Sequence, residues 1–95
     1  MRFEWDEHKD RSNQRKHGIS FATALLVFDD PVHLSVQERE VDGEQRWQTL
    51  GCIGGVLIVL VAHTWREDGG DEVIRIISAR KATARERRLY EKASD

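Results

Sequence analysis

Hydrophobic and polar residues follow three different patterns along the chain, and each pattern predicts a different kind of element. The first third is polar with helical spacing, the middle holds apolar runs separated by Gly-containing turns, and the end is helical again. We predict, in order, a strand at 3–5, helices at 7–17 and 21–28, strands at 32–41, 46–53, 56–65 and 72–79, and a helix at 84–92.

Capping residues stand at the expected ends of the helices. Asp6 is suited to begin the first helix and Gly18 to end it, and Ser20 can begin the second. Before the last helix, Thr83 and Glu86 have the spacing of a capping box. Three apolar side chains of the second helix share one side and should pack on a sheet: Phe21, Leu25 and Phe28.

Turn residues organise the middle of the chain. Asp42-Gly43 and Gly54-Gly55 are suited to tight hairpins, and 67–71 predicts a looser third turn. Segment 56–65 is apolar on both faces until its histidine, which is typical of an interior strand. Consecutive hairpins predict an α+β fold: a four-stranded antiparallel meander sheet with two N-terminal helices and one C-terminal helix, forming a single domain over 1–95.

Composition narrows the class of protein. A chain of 95 residues has room for one core, and one cysteine excludes an internal disulfide framework. The longest apolar run, 56–62, is far below the roughly 20 residues that span a bilayer, and the N-terminus has no apolar leader. We therefore expect a cytoplasmic domain without membrane contact.

Charge is distributed unevenly. The net charge of −2 argues against a nucleic-acid partner, but 75–92 carries seven basic residues against two acidic ones, while 18–74 carries three against ten. This asymmetry is compatible with a local basic patch, and equally with a solvated helix face that forms ion pairs.

Several kinds of chemistry lack their motifs. The four histidines form no H-x-x-x-H pair and there is no second cysteine, so we predict no metal site. The two Gly-Gly turns lack the lysine and hydroxyl of a phosphate loop, and no nucleophile motif surrounds Cys52. We expect no cofactor.

Arginines near the last strand are the remaining candidates. Arg66 and Arg75 flank a predicted hairpin and could be cross-strand neighbours. Two such charges repel unless an anion lies between them, which motivates a phosphate-binding hypothesis. Arg80 is five residues from Arg75, so a regular strand puts it on the opposite face; only a bulge, or an end of pairing near Ser78, brings both to one site.

Cleavage of RNA without a metal needs a base, an acid and cations that stabilise the charge on phosphorus. Arginine suits the last role, since its planar fork binds phosphate oxygens in pairs. The candidates for acid and base are His63, Glu86, Lys9, His17 and Tyr90. Structural roles compete with catalytic ones here: His63 as a buried, hydrogen-bonded histidine, Glu86 as the capping partner and Tyr90 as a core residue.

The sequence resembles the BrnT toxins of type II toxin–antitoxin systems over almost its whole length. The matching positions are Phe3, Trp5, Asp6, Lys9, Asn13 and 16–21; 27–31; Arg46, Gly51, His63, Thr64 and Arg66; and 74–82, Glu86, Arg87 and Tyr90. The resemblance implies a RelE-like fold and a metal-independent ribonuclease that stops translation. It also implies neutralisation by a BrnA antitoxin and binding of operator DNA by the toxin–antitoxin complex, chiefly through the antitoxin.

Site roles follow from the resemblance for only a few positions. It implies roles for Arg66, Arg75, Arg80 and Tyr90, with Lys9 and His63 as further candidates. The alternative is a binding module without catalysis, acting as the partner of a DNA-binding repressor.

Overall fold

The computed structural model describes residues 1–94. The elements are β1 (Arg2–Glu4), α1 (Glu7–His17), α2 (Phe21–Ala24), a 3₁₀ helix (Leu25–Asp29), β2 (Leu34–Gln37), β3 (Arg46–Ile53), β4 (Leu57–Asp68), β5 (Asp71–Lys81) and α3 (Ala84–Ser94).

The predicted caps of the first and last helices are present. The Asp6 carboxylate accepts from the His8 N–H at 2.8 Å, and Gly18 ends α1 with φ 71°. At the start of α3, the Thr83 N–H donates to Glu86 at 2.9 Å and the Glu86 N–H donates to the Thr83 hydroxyl at 3.2 Å. These local signals therefore fix where α1 and α3 begin.

The second helix differs from the prediction. Its α-helical part ends at Ala24 and the chain tightens into a 3₁₀ helix before Pro31. Val27 of this turn lies against Gly51 of β3, where an added Cβ would be 2.6 Å from the Val27 Cβ. The missing side chain at Gly51 lets the turn approach the sheet this closely.

The sheet has five strands, in the order β1-β5-β4-β3-β2. The predicted antiparallel meander is present as β2 to β5, but the predicted sheet is one strand short, because β1 adds to the outer edge of β5 in parallel, with Phe3 opposite Ile74. Hairpin turns identify only neighbours in sequence. A three-residue strand such as β1, which pairs with a strand far away in the chain, has no turn beside it that would identify its partner.

The hairpins set the strand lengths. Asp42 and Gly43 have φ of 50° and 79°, and Gly54-Gly55 forms a second tight turn, as predicted. The third turn is also a tight Gly-Gly pair, not the looser one predicted, so Asp68 and Asp71 pair directly. In contrast, β2 is shorter than the predicted 32–41, since Val41 forms only an isolated bridge.

Alternation along β4 divides the core between the two faces of the sheet. Val59 and Val61 pack under α2 and the 3₁₀ helix in one cluster. Leu60, on the other face, packs with Leu50 and Tyr90 of α3 in the second cluster. We call the first the helix face. We call the second the arginine face, because beyond α3 it carries Arg46, Thr64, Arg66, Arg75 and Arg80.

Candidate active site

A β-bulge assembles the arginine face. Ile76 lies opposite His63 and Ser78 opposite Ala62, so Ile77 is an extra residue in β5. The odd spacing between Arg75 and Arg80 therefore places both side chains on one face. A bulge, or an end of pairing near Ser78, is what the sequence requires to bring these two arginines to one face, and the structure has the bulge.

The register corrects one detail of the predicted pair. Arg75 lies opposite Thr64, and Arg66 lies opposite Val73. Arg66 and Arg75 are thus diagonal neighbours on one face and not a directly opposed pair.

Each of the three predicted arginines forms an ion pair with a carboxylate of the chain. The pairs are Arg66 with Glu4 at 2.8 Å, Arg75 with Glu44 at 2.6 Å, and Arg80 with Glu86 at 2.7 Å. In the first two pairs both side chains are more than a third exposed. Such pairs contribute little to stability and leave the rest of each guanidinium open to another ligand.

Arg80 is held more firmly than the other two. Both of its terminal nitrogens donate to Glu86, at 2.7 and 3.0 Å. The Arg80 hydrogen bonds are the main reason that the pKa of Glu86 falls from 4.5 to about 2, and the pair raises the pKa of Arg80. Arg80 therefore joins the end of β5 to the cap of α3.

Arg46 and Thr64 are additions that the site prediction missed. They lie directly opposite each other on β3 and β4. The Arg46 Nε and the Thr64 Oγ1 are buried and have no hydrogen-bond partner within residues 1–94. The register counted back from the tight turn at 54–55 predicts this pairing, so the sequence was sufficient to place Arg46 opposite Thr64.

His63 is not brought to the arginines. It is completely buried on the helix face, with its ring 5.1 Å from that of Phe28. Its Nδ1 donates to the Thr64 carbonyl at 3.1 Å, and its Nε2 accepts from the Thr49 hydroxyl at 2.7 Å. Burial lowers the pKa of His63, and these partners suit a neutral ring.

Tyr90 has a position in the core. It is 8% exposed in the second core cluster, and its hydroxyl donates to the Asp30 carboxylate. The same carboxylate oxygen accepts from the Cys52 N–H at 2.8 Å. The bond to Asp30 raises the pKa of Tyr90 to about 12, so this phenol stays protonated and joins α3 to the body of the domain.

Lys9 lies in a separate groove along the edge of β5. The groove has a volume of about 240 Å³ and is also lined by Lys16, His17 and Ser78. Below it, the Asn13 amide is buried: its nitrogen donates to the Ala79 carbonyl at 2.8 Å, and its oxygen accepts from the Ala79 N–H at 3.1 Å. Lys9, Asn13, Lys16 and His17 therefore share one face of α1, and its basic residues follow the strand edge.

Residues 5–86 match the sequence model of the family described as "Ribonuclease toxin, BrnT, of type II toxin-antitoxin system". The chain belongs to the BrnT family. A crystal structure of the Brucella abortus ribonuclease toxin BrnT is similar to it, with a TM-score of 0.59 and 25% identity, covering 87% of this chain and 97% of that one. No curated protein matches the chain significantly.

Family membership confirms the resemblance drawn from the sequence. The matched range extends from Trp5 to Glu86, so it contains the bulged strand β5 of this chain. In residues 1–94, no three His, Cys, Asp or Glu side chains group as metal ligands, and none of the helices has the length and apolar character needed to cross a bilayer.

Proposed function

We propose that this BrnT-family protein is an endoribonuclease that cleaves RNA on the arginine face without a metal ion. The observation that carries the proposal is the bulge at Ile77, which gathers Arg75 and Arg80 with Arg66 on one face. The family description supports ribonuclease activity of a toxin.

The roles of the side chains follow from their pairing. Arg66 and Arg75 bind the scissile phosphate, since each forms only a single contact with a half-exposed carboxylate. Glu44, which touches Arg75, accepts the proton of the 2′-hydroxyl as its oxygen attacks phosphorus. The departing 5′-oxygen takes a proton from water as its bond to phosphorus breaks. Arg80 and Tyr90 are positioning residues, because Glu86 and Asp30 hold their polar groups.

Two further candidates take different places in the proposal. Lys9 binds RNA outside the reacting centre, in the groove along β5. His63 supports the fold, because it is buried on the other face of the sheet.

We further propose that a BrnA-type antitoxin neutralises the protein. The description of the family as part of type II toxin–antitoxin systems supports an antitoxin partner. Operator DNA would be bound through the antitoxin, since a net charge of −2 gives this chain little general attraction for duplex DNA.

The test is cleavage of a structured RNA by purified protein in excess EDTA, with growth after expression without antitoxin as a second measurement. We expect cleavage, growth arrest and the loss of both in Arg75→Ala, with unchanged circular dichroism. Arg88→Ala, an exposed arginine on α3, is the matched control and should behave as wild type.

Two results would count against the proposal. Cleavage that requires a divalent cation contradicts the metal-free mechanism, and full activity of Arg75→Ala contradicts the phosphate role. A protein that binds the antitoxin but cleaves no RNA would instead be the binding module.

A further inference from the structure

Four residues form a row across the sheet on the arginine face. Arg46 of β3 lies opposite Thr64 of β4, Thr64 lies opposite Arg75 of β5, and Arg75 lies opposite Glu4 of β1. Neighbouring strands are about 4.8 Å apart, so the backbones at Arg46 and Arg75 are separated by about 10 Å, with Thr64 between them. The side chains of Arg46 and Arg75 therefore flank that of Thr64 on the same face of the sheet.

Two buried polar atoms in this row have no hydrogen-bond partner among the described residues. Thr64 is 3% exposed and its Oγ1 forms no hydrogen bond to any residue of 1–94, and neither does the Nε of Arg46. Buried polar groups are nearly always hydrogen-bonded, since leaving one unpaired is costly. Both groups can donate, so a ligand that satisfies both of them offers acceptors.

The charges around the row indicate which kind of acceptor. This part of the arginine face has three arginines and two carboxylates: Arg46, Arg66 and Arg75 with Glu4 and Glu44. Those carboxylates pair with Arg66 and Arg75, and Arg46 has no ion pair among the described residues. The surplus positive charge is therefore at Arg46, beside the two unpaired donors.

We propose that Arg46, Thr64 and Arg75 form a binding subsite for one phosphate group of the RNA, and that the Glu44 carboxylate leaves Arg75 when that phosphate binds. The phosphate accepts from the Arg46 Nε–H, the Thr64 hydroxyl and the guanidinium nitrogens of Arg75. Glu44 is 38% exposed and lies beside a tight turn, so its side chain can turn away and remain close to the bound nucleotide. The subsite rests on the proposed function for the identity of its ligand.

The direct probe is inorganic phosphate, added to the full-length protein labelled with ¹⁵N. The Arg Nε–H resonances can be followed individually in a heteronuclear NMR spectrum. We expect the Arg46 Nε–H signal to move downfield in a saturable way, and the shift to be lost in Arg75→Ala. Arg88, exposed on α3, is the internal control and should not shift.

The second probe is a single-stranded 2′-O-methyl RNA, which lacks the hydroxyl needed for cleavage and so reports binding alone. Thr64→Val preserves the shape of the side chain and removes only the hydroxyl. We expect it to weaken binding about tenfold, the worth of one hydrogen bond to a charged group. The variant should fold at least as stably as wild type, because it removes an unpaired buried group.

Arg46→Lys is a complementary variant, since it keeps the charge and removes the Nε–H. It should weaken binding of the 2′-O-methyl RNA by a similar factor, while Arg88→Lys leaves it unchanged. Because the proposed contact is to phosphate and not to the sugar, Thr64→Val should weaken binding of single-stranded DNA of the same sequence by a similar factor. A loss confined to RNA would overturn the assignment of this contact to phosphate.

The outcomes separate the subsite from the proposed function. If wild type and Thr64→Val cleave RNA and bind the 2′-O-methyl RNA equally well, the subsite is wrong and the ribonuclease proposal stands. If phosphate shifts the Arg46 signal and Thr64→Val weakens RNA binding, but no RNA is cleaved, the subsite stands and the ribonuclease proposal is wrong. An unmoved Arg46 signal at saturating phosphate refutes the subsite.

Discussion

Replacing Glu86 with glutamine tests how α3 is fastened to the sheet. The substitution keeps an acceptor for the Thr83 N–H and removes the charge that holds both terminal nitrogens of Arg80. The Glu86 pKa of about 2, against an ordinary value of 4.5, corresponds to about 3 kcal/mol before screening is considered. Since Arg80 is 37% exposed, we expect solvent to reduce this to about 1–2 kcal/mol.

The pH dependence gives this prediction its specific signature. The folded-state pKa of Glu86 is depressed, so the contribution is full above about pH 4.5 and is lost as pH falls towards 2. Glu86→Gln should therefore lower the melting temperature by roughly 5–15 °C at pH 7. The stability difference between variant and wild type should narrow steadily below pH 4.5.

Urea denaturation followed by tryptophan fluorescence, at a series of pH values from 7 to 3, measures both effects. Glu91→Gln is the control, because Glu91 is an exposed carboxylate on the same helix. A stability difference that stays constant across the series would show that the effect does not depend on the Glu86 charge. Wild-type stability of Glu86→Gln at pH 7 would refute the reasoning altogether.

Three further substitutions test other parts of the fold. Asn13→Ala removes three buried hydrogen bonds and should lower the free energy of unfolding by about 2–4 kcal/mol in urea denaturation. Gly51→Ala should destabilise by about 1–3 kcal/mol or more, measured in the same way, because its Cβ would meet Val27 at 2.6 Å. Tyr90 is the only tyrosine, so ultraviolet absorbance should show its ionisation near pH 12 in the folded protein and near pH 10 in urea. Tyr90→Phe should lower the free energy of unfolding by about 1–2 kcal/mol below pH 10.

Two of these predictions have a direct check, and a fourth substitution tests the burial of His63. Gln14→Ala, on the exposed side of α1, should have little effect beside Asn13→Ala. Thr49→Ala, in contrast, should destabilise, because it leaves the buried His63 ring without its donor. The bond to Asp30 raises the pKa of the Tyr90 hydroxyl, so its stabilising effect should be lost only as the pH rises above 10. Ionisation of Tyr90 at the ordinary value of 10 in the folded protein would contradict this prediction.

The parts of the fold that the sequence predicts are those with local causes. The caps at Asp6 and Thr83 and the turns at 42–43 and 54–55 follow from nearby residues, and the structure confirms them. The position of β1 depends on an edge that is more than 60 residues away in the chain, and no local pattern encodes it. The 3₁₀ turn likewise results from packing on Gly51.

The candidate site divides in the same way. Residue type predicts Arg66 and Arg75 as candidate phosphate ligands, and the hairpin register makes them diagonal neighbours. The burial of His63 depends on which face of β4 the helices cover, which sequence alternation does not reveal. The unpaired donors at Arg46 and Thr64 emerge only when the partners of every buried atom are known.

The bulge at Ile77 couples the length of β5 to its pairing. Deleting Ile77 would shorten the spacing from Arg75 to Arg80 to four positions, and a regular strand would then keep both side chains on the arginine face. If β5 kept its length but paired without the bulge, Arg80 would turn to the helix face and away from Glu86. The arginine face is therefore compatible with loss of the bulged residue, but not with a regular strand of the present length.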